Sequence, residues 1–191
     1  MIRDFYETER LWLMACKEKY APEVLGYYQR NRDFLKPYES ARVKEFYTEA
    51  YQRRFLAAEE KRALEGSAAR FFLALPERPG EVVGLAALSN ILLGSFRSAF
   101  LAYNLDEACG GQGLMNEALR KVIEIAFGEL GLHRLEANIL PRNTRSLNVV
   151  KRLGFANEGV ARDYFEIDGR WEDHVHMVLL NDKIPPPGGE R

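Results

Sequence analysis

The residues best suited to do chemistry form a glycine-rich segment, residues 106–115, which holds Gly110, Gly111 and Gly113 within four positions. An apolar, strand-like run precedes it at residues 99–105, and an amphipathic helical pattern follows at once. The first N–H groups of a helix have no intrahelical partner and lie at the positive end of its dipole, so such a segment can hold a pyrophosphate. It is not a P-loop, because no Lys-Ser/Thr pair follows the last glycine, and its spacing also differs from the dinucleotide-binding pattern. The alternative is a strand-to-helix turn that is merely rich in glycine.

Periodic segments on both sides of this loop must position it. Residues 98–105 are expected to end an antiparallel meander, because the connections between the preceding strands are short. After the loop and its helix, residues 133–140 alternate, which predicts a strand with Leu135, Ala137 and Ile139 on one face. A strand, a helix and a further strand in succession predict a parallel strand pair. The other predicted elements are a strand at 10–16, helices at 21–30 and 40–64, strands at 69–75 and 81–90, a helix capped by Asn143, and a hairpin over 164–180 that turns at Asp168-Gly169.

Length and composition restrict the class of protein. The chain has 191 residues, a formal net charge of −1 and two cysteines. The charge gives no basic field for direct nucleic-acid binding, and no apolar run approaches the roughly 20 residues that span a membrane. Two cysteines are too few for a disulfide framework and the N-terminus lacks the apolar core of a signal peptide, so we expect a reduced, cytoplasmic protein. His174 and His176 share a strand face, but a metal site would need further ligands that are not evident. We expect a single domain over residues 1–182 and a disordered tail over residues 183–191.

The glycine loop, the strand that carries Asn138 and the segment 143–155 together resemble the GNAT acetyltransferase superfamily. Within it, the chain is similar to the ribosomal-protein-alanine N-acetyltransferases, which acetylate the N-terminal amine of a ribosomal protein. The resemblance covers nearly the whole chain and includes the segments 31–38, 89–90, 94–96, 113–115, 133–134, 152–155 and 163–174. It implies an α/β (α+β) fold with a mixed, mostly antiparallel sheet, helices on both faces and a splayed parallel strand pair that binds acetyl-CoA. The implied partner is the N-terminus of a ribosomal protein, free or on the ribosome, and either a monomer or a homodimer is compatible with the sequence.

The resemblance also implies roles for residues of this chain. Leu105 would give backbone contacts to the pantetheine arm, Asn143 would contact acetyl-CoA, and Ser146 would donate a proton to the leaving sulfur. Asn138 would orient the acetyl group or a water molecule. A plain helix cap is the alternative for Asn143 and Ser146. The remaining contacts with acetyl-CoA are expected in the loop and the helix start: Gly110, Gly111, Gln112, Gly113, Leu114 and Met115. An aromatic acceptor mouth is expected, with packing into the core as the alternative for its members: Phe34, Tyr38, Tyr103 and Trp171.

Three carboxylates are candidates for the general base. Glu136 is the first candidate because it shares a strand face with Asn138, and Glu107 and Asp173 are the others. Each of these carboxylates has the alternative of being a solvated or ion-paired surface group. In many superfamily members a tyrosine on the last helix protonates the thiolate, but residues 149–150 are Val-Val here. In a related subgroup a hairpin glutamate is the proposed base, and the matching position here is Phe165.

Other departures and rival functions follow from the same comparison of residues. The family's loop usually begins with Gln, Arg or Lys where this chain has Ala108, and Gln or Arg is common at the position of Gly110, so side-chain contacts are lost while backbone amides stay.

An α-amine has a pKa of about 7.7–8.0 against about 10.4 for lysine, so a chain without an obvious base suits an N-terminal acceptor. The rivals are acetylation of a small amine, such as an antibiotic or polyamine, and a non-enzymatic ribosome-associated binding module.

Overall fold

The computed structural model of the protein describes residues 2–182, so the tail expected over 183–191 lies outside the described residues. The strands are β1 (Phe5–Glu7), β2 (Trp12–Ala15), β3 (Ala69–Ala74), β4 (Gly84–Leu92), β5 (Ser98–Leu105), β6 (Arg134–Ile139), β7 (Ala156–Ile167) and β8 (Arg170–Leu180). The α-helices are α1 (Ala21–Arg30), α2 (Arg32–Leu35), α3 (Glu49–Leu64), α4 (Leu114–Glu124) and α5 (Thr144–Arg152). Within this part of the chain, no helix is long and apolar enough to cross a membrane.

The strands form one sheet in the order β1-β2-β3-β4-β5-β6-β8-β7. β5 and β6 are parallel neighbours, whereas the other neighbouring strands pair antiparallel. The parallel register joins Ser98, Ala99 and Phe100 to residues 134–136 and then ends, although both strands continue. The two strands therefore separate toward their C-terminal ends. The predicted meander and the predicted parallel pair are both confirmed.

Helices cover both faces of the sheet, and β3 shows how one strand serves two cores. Phe71 and Leu73 pack in a cluster that includes side chains of α4 and α5, whereas Phe72 and Ala74 pack in a second cluster with α1 and α3. Because successive side chains of a strand point to opposite faces, the two clusters lie on opposite sides of the sheet. The predicted fold class is confirmed: a mixed, mostly antiparallel sheet with a parallel pair and helices on both faces.

Some predicted boundaries are wrong, for local reasons. The helix expected over 40–64 begins only at Glu49, because Thr48 has an extended backbone and its side chain caps the helix by accepting from the Tyr51 amide at 3.3 Å. A short 3₁₀ helix, Lys44–Tyr47, precedes that cap. Strand β1 was not predicted, because its three residues are too few to show an alternation of polar and apolar side chains. β7 begins well before residue 164, and two register shifts against β8 interrupt the alternation that would have indicated it.

Candidate active site

A cavity of about 550 Å³ lies where β5 and β6 separate. Its walls come from the ends of these two strands, the glycine loop, the starts of α4 and α5, and the segment that follows α1. Most of the residues singled out from the sequence line it: Phe34, Tyr38, Tyr103, Leu105, Gly110, Gly111, Gly113, Leu114, Met115, Asn138, Asn143 and Ser146. The fold therefore gathers segments that are far apart in the chain around one opening.

The glycine loop presents unpaired backbone amides to this cavity. After a single 3₁₀ turn, Glu107–Cys109, the chain passes through Gly111 at φ +76° and Gly113 at φ +78°. Gly113 is the residue directly before α4, and a left-handed backbone there turns the chain into the helix. Within residues 2–182 no backbone carbonyl accepts from the N–H groups of residues 111–113. These amides and those of the first turn of α4 are free to bind an anion.

The start of the loop is fastened to α1 by Asp106, which is 6% exposed. Its carboxylate accepts from Arg30 Nε at 2.5 Å, from Asn31 Nδ2 at 3.0 Å and from the Ala108 amide at 3.0 Å. Asn31 Oδ1 in turn accepts from the Glu107 amide at 3.0 Å. Burial alone would raise the pKa of Asp106, but the hydrogen bonds from Asn31, Arg30 and Ala108 outweigh burial and lower it. No local sequence pattern indicates this cluster, since its members are about 75 positions apart.

The other end of the loop is held from the N-terminal strands by Arg10. Its Nη1 donates to the Gln112 carbonyl at 3.0 Å, and its Nε donates to Glu117 Oε2 at 2.7 Å. Burial would raise the pKa of Glu117, but hydrogen bonds from Thr8 and Arg10 outweigh burial and lower it. Gln112 itself is not among the residues that line the cavity. Its carbonyl is taken by Arg10, and its contact with acetyl-CoA stays a prediction.

At the opposite side of the cavity, α5 begins with Asn143 as its cap. Asn143 Oδ1 accepts from the Ser146 amide at 3.1 Å, so the capping alternative holds for Asn143. The Ser146 hydroxyl donates to the Tyr103 hydroxyl at 2.7 Å, and Tyr103 donates to the Ser146 carbonyl at 2.9 Å. Burial raises the pKa of Tyr103. The hydroxyl of Tyr103, a residue expected at the acceptor mouth, lies beside the predicted proton donor Ser146.

Asn138 lies on β6 beyond the last residue that pairs with β5. Its Nδ2 donates to the Tyr164 hydroxyl at 3.1 Å, and its Oδ1 is buried with no hydrogen-bond partner in the described part of the chain. A buried, unpaired carbonyl oxygen is unfavourable by roughly 1–3 kcal/mol. Because Asn138 also lines the cavity, this oxygen is suited to accept a hydrogen bond from a bound molecule.

Four further predicted residues do not line the cavity. Glu136 is level with Phe100, where the strands are still paired, and its carboxylate pairs with Arg134 at 3.0 Å and with His176 Nδ1 at 3.2 Å. Trp171 is 63% exposed at the start of β8 and does not line the cavity. Glu136 does share a face of β6 with Asn138, as predicted. However, β5 and β6 separate only after Glu136, so its side chain lies outside the opening between them. Glu107 and Asp173, the other candidates for the base, are also absent from the cavity wall.

Comparisons with known proteins fit this architecture. The sequence model of the Acetyltransferase (GNAT) domain matches residues 10–156. The chain belongs to the GNAT acetyltransferase family. Over 180 residues it is 39% identical to the ribosomal protein uS5-alanine N-acetyltransferase of Escherichia coli, a match that covers 94% of this chain and 92% of that protein.

Solved structures of GNAT acetyltransferases superpose closely on this chain. The ribosomal-protein-S5-alanine acetyltransferase from Vibrio fischeri gives a TM-score of 0.90 at 31% identity, covering 95% of this chain and 99% of that one. RimJ of Mycobacterium smegmatis, solved in complex with CoA-disulfide, gives a TM-score of 0.85 at 26% identity, covering 92% and 84% of the two chains.

GNAT acetyltransferases use acetyl-CoA as their acetyl donor, and the cavity of this chain fits that molecule. The free amides of the glycine loop suit its pyrophosphate, and the apolar side chains of Leu105, Leu114 and Val149 suit its pantetheine arm. At Gly111 an added Cβ would meet no atom within 4 Å, so the space beside the loop backbone is open. With Ala108 and Gly110 in the loop, the donors that these positions offer are backbone amides.

Proposed function

We propose that this GNAT enzyme acetylates the N-terminal α-amine of a ribosomal protein, by direct attack of the amine on acetyl-CoA in a ternary complex. The observation that carries the proposal is the 39% identity, over nearly the whole chain, to an Escherichia coli enzyme named as the alanine N-acetyltransferase of ribosomal protein uS5. The cytoplasmic location, the association with the ribosome and the monomeric or homodimeric state stay predictions.

The proposed roles divide the cavity into a donor side and a reacting end. The amides of Gly111, Gly113 and Leu114 bind the pyrophosphate, and the backbone of Leu105 contacts the pantetheine arm. The thioester supplies an acetyl group that is already activated for transfer. Ser146 donates a proton toward the leaving sulfur, and Asn138 orients the reacting groups through its free amide oxygen. Asn143 holds the helix start that carries Ser146.

The charges of the cavity support an α-amine acceptor over a polyamine. Its wall includes the carboxylates of Glu39 and Asp106, and each is already paired with an arginine, Arg42 at 2.8 Å and Arg30 at 2.5 Å. Arg145 also lines the cavity, with its guanidinium 5.8 Å from the centre of the Phe34 ring. A polycation would require unpaired carboxylates, whereas a single α-amine is partly neutral near pH 7 because its pKa is about 7.7–8.0. Phe34 and Tyr38 then form the apolar mouth through which a peptide N-terminus enters.

The test is thiol release from acetyl-CoA with short peptides that begin with Ala, Ser or Met, each with a free and a blocked α-amine. Spermidine and a peptide whose only free amine is a lysine side chain complete the panel. We expect turnover on a free N-terminus and none on the blocked twin of the same peptide. Turnover on spermidine alone would establish the small-amine alternative. Absence of turnover on every amine and on ribosomal particles, with acetyl-CoA still bound, would favour the non-enzymatic module.

Ser146→Ala is expected to lower kcat about 10-fold at pH 7 while the Kd for acetyl-CoA changes less than about 2-fold. General acid catalysis contributes about 10²–10⁴-fold, and the lower end or less applies here because a thiol with a pKa near 8.5 is already a good leaving group. Steady-state kinetics and calorimetric titration with acetyl-CoA measure the two quantities. Ser146→Thr keeps a hydroxyl and is the matched control. An unchanged kcat in the alanine variant would remove Ser146 from the reaction.

Tyr103→Phe is expected to lower the free energy of unfolding by about 1 kcal/mol, because the Ser146 hydroxyl and carbonyl both lose a partner. For a chain of this size, that corresponds to a fall in Tm of about 2–4 °C. We expect kcat to fall about 3-fold, since Ser146 loses the contact that orients its hydroxyl. Thermal denaturation and kinetics of the same preparation measure both effects. A larger loss of kcat than in Ser146→Ala would instead assign a proton-transfer role to Tyr103.

A further inference from the structure

The cavity wall contains a histidine to which none of the roles above refers. His174 lies in β8, is 5% exposed and lines the cavity. Its Nδ1 is 3.0 Å from the carbonyl oxygen of Glu172. A carbonyl oxygen can only accept a hydrogen bond, so Nδ1 carries the proton and the neutral ring keeps its lone pair on Nε2. Within the described residues Nε2 makes no hydrogen bond, so this lone pair is available to a bound molecule.

The carboxylates in the cavity wall are already engaged by hydrogen-bond donors of the chain. Glu39 accepts from Asn104 Nδ2 at 3.0 Å through one oxygen and from Arg42 Nη2 at 2.8 Å through the other. Asp106 is bound by Arg30, Asn31 and the Ala108 amide, as described above. Among the Asp, Glu and His side chains of this wall within residues 2–182, His174 is the one with an unengaged acceptor.

Neighbouring aromatic rings hold His174 in place. The ring of Tyr164 lies 5.6 Å from the His174 ring, and that of Phe165 lies 6.1 Å away in an edge-to-face arrangement. The Tyr164 hydroxyl also accepts from Asn138 Nδ2 at 3.1 Å. The histidine is therefore linked through one tyrosine to the asparagine at the point where the parallel strands separate.

His176, two residues further along the same strand, provides a contrast. Its Nδ1 faces Glu136 at 3.2 Å, its Nε2 is buried without a partner, and it does not line the cavity. The two histidines share a strand face, but only His174 reaches the cavity wall. This difference supplies a matched control.

We propose that His174 is the general base of the acetyl transfer, an inference that rests on the function proposed above. Nε2 takes the proton that the neutral α-amine nitrogen loses as it forms the C–N bond with the acetyl carbonyl carbon. The C–S bond breaks, and the leaving sulfur takes one proton from the Ser146 hydroxyl, which regains a proton from water. The proton on Nε2 passes to solvent, so the protons balance over one turnover.

The first experiment compares His174→Ala with His176→Ala, using a peptide that the wild-type enzyme acetylates. We expect kcat at pH 7 to fall about 100-fold for His174→Ala, the lower end of general-base effects, because an α-amine is partly neutral at this pH. The Kd for acetyl-CoA should change less than about 2-fold, and His176→Ala should keep kcat within about 3-fold of wild type. Added imidazole should restore at least about 10-fold in His174→Ala, whereas 1,2,4-triazole, of the same shape but weakly basic, should not.

The outcomes separate the base assignment from the proposed function. A His174→Ala variant within 3-fold of wild type, or equal rescue by triazole and imidazole, would overturn the assignment while acetylation by the wild type stands. No turnover by the wild type on any free amine would overturn the proposed function together with it. A second measurement does not depend on activity or on the variant folding: ¹⁵N spectra of the wild-type protein, which has three histidines. We expect His174 as the neutral tautomer protonated on Nδ1, and the Nε2-protonated tautomer would contradict the proposal.

Discussion

Replacing Asp106 by alanine is expected to lower the free energy of unfolding by about 2–3 kcal/mol, because three donors lose their common acceptor. Arg30 Nε, Asn31 Nδ2 and the Ala108 amide all donate to this one buried carboxylate. Breaking a fully buried ion pair costs about 3–5 kcal/mol, and a value at or just below the lower figure applies here since Arg30 is partly exposed and keeps Glu81 at 3.2 Å. Urea unfolding measures the loss, and calorimetry with acetyl-CoA should show weaker binding because the loop start is released from α1.

Glu81→Ala is the matched control for this variant. Glu81 also pairs with Arg30, at 3.2 Å, and with Arg78 at 3.1 Å, but it is about a third exposed. Ion pairs of this kind contribute about 0.2–1 kcal/mol, so its replacement should change stability by less than about 1 kcal/mol. Equal losses for Asp106→Ala and Glu81→Ala would mean that the Asp106 cluster is no more than a surface charge pair.

The pH dependence of stability gives the same residue a second signature. The pKa of Asp106 is lowered in the folded chain relative to the unfolded value of about 3.9, so its contribution is present above that value and is lost as pH falls through the folded pKa. The unfolding free energy of the wild type should therefore fall more steeply than that of Asp106→Asn between about pH 5 and pH 2. Parallel curves for the two proteins would contradict a lowered pKa. Glu117, whose pKa is also lowered, contributes equally to both proteins and cancels in the comparison.

Local sequence patterns were sufficient to predict the strand and the loop that border the site. The alternation of residues 134–139 predicts which side chains of β6 face the core, and the structure buries Leu135, Ala137 and Ile139. The glycines before an amphipathic helix predict a loop of free amides, and the structure gives Gly111 and Gly113 the left-handed backbone that such a turn requires. These inferences succeed because strand period, helix period and glycine conformation are all decided within a few residues.

The choice of residues inside the site depends on where the strands separate, which no local pattern records. Glu136 and Asn138 share one face of β6, yet the pairing with β5 ends at Glu136, so only Asn138 reaches the cavity. Contacts between distant segments are equally hidden, such as Ser146 with Tyr103, 43 positions apart. For His174, the alternation of residues predicts a strand face but not the hydrogen bond from Nδ1 to a carbonyl, which leaves its other nitrogen free.

Gly113→Val is expected to weaken acetyl-CoA binding about 100-fold, since it affects the backbone on which the proposed pyrophosphate site depends. Gly113 has φ +78°, and the nearest atom to an added Cβ is Arg10 Nη2 at an ordinary 3.7 Å, so strain arises from the backbone rather than from crowding. A left-handed backbone costs an L-residue about 1–2 kcal/mol. A β-branched residue such as valine relieves this strain by rotating the adjacent peptide group. Amides that then point away from the phosphates lose hydrogen bonds of about 1.5–3 kcal/mol each, and 1.4 kcal/mol is tenfold in affinity.

The control for backbone strain is Gly66→Val. Gly66 follows α3, has φ +73°, would place an added Cβ within 4 Å of no atom, and does not line the cavity. Both variants should lose about 1–2 kcal/mol of unfolding free energy, but only Gly113→Val should lose acetyl-CoA affinity by calorimetric titration. Equal affinities in the two variants would show that the loop amides do not hold the donor. Equal losses of affinity would show that strain anywhere in the domain loosens the site, and that the left-handed turn before α4 has no special part in binding.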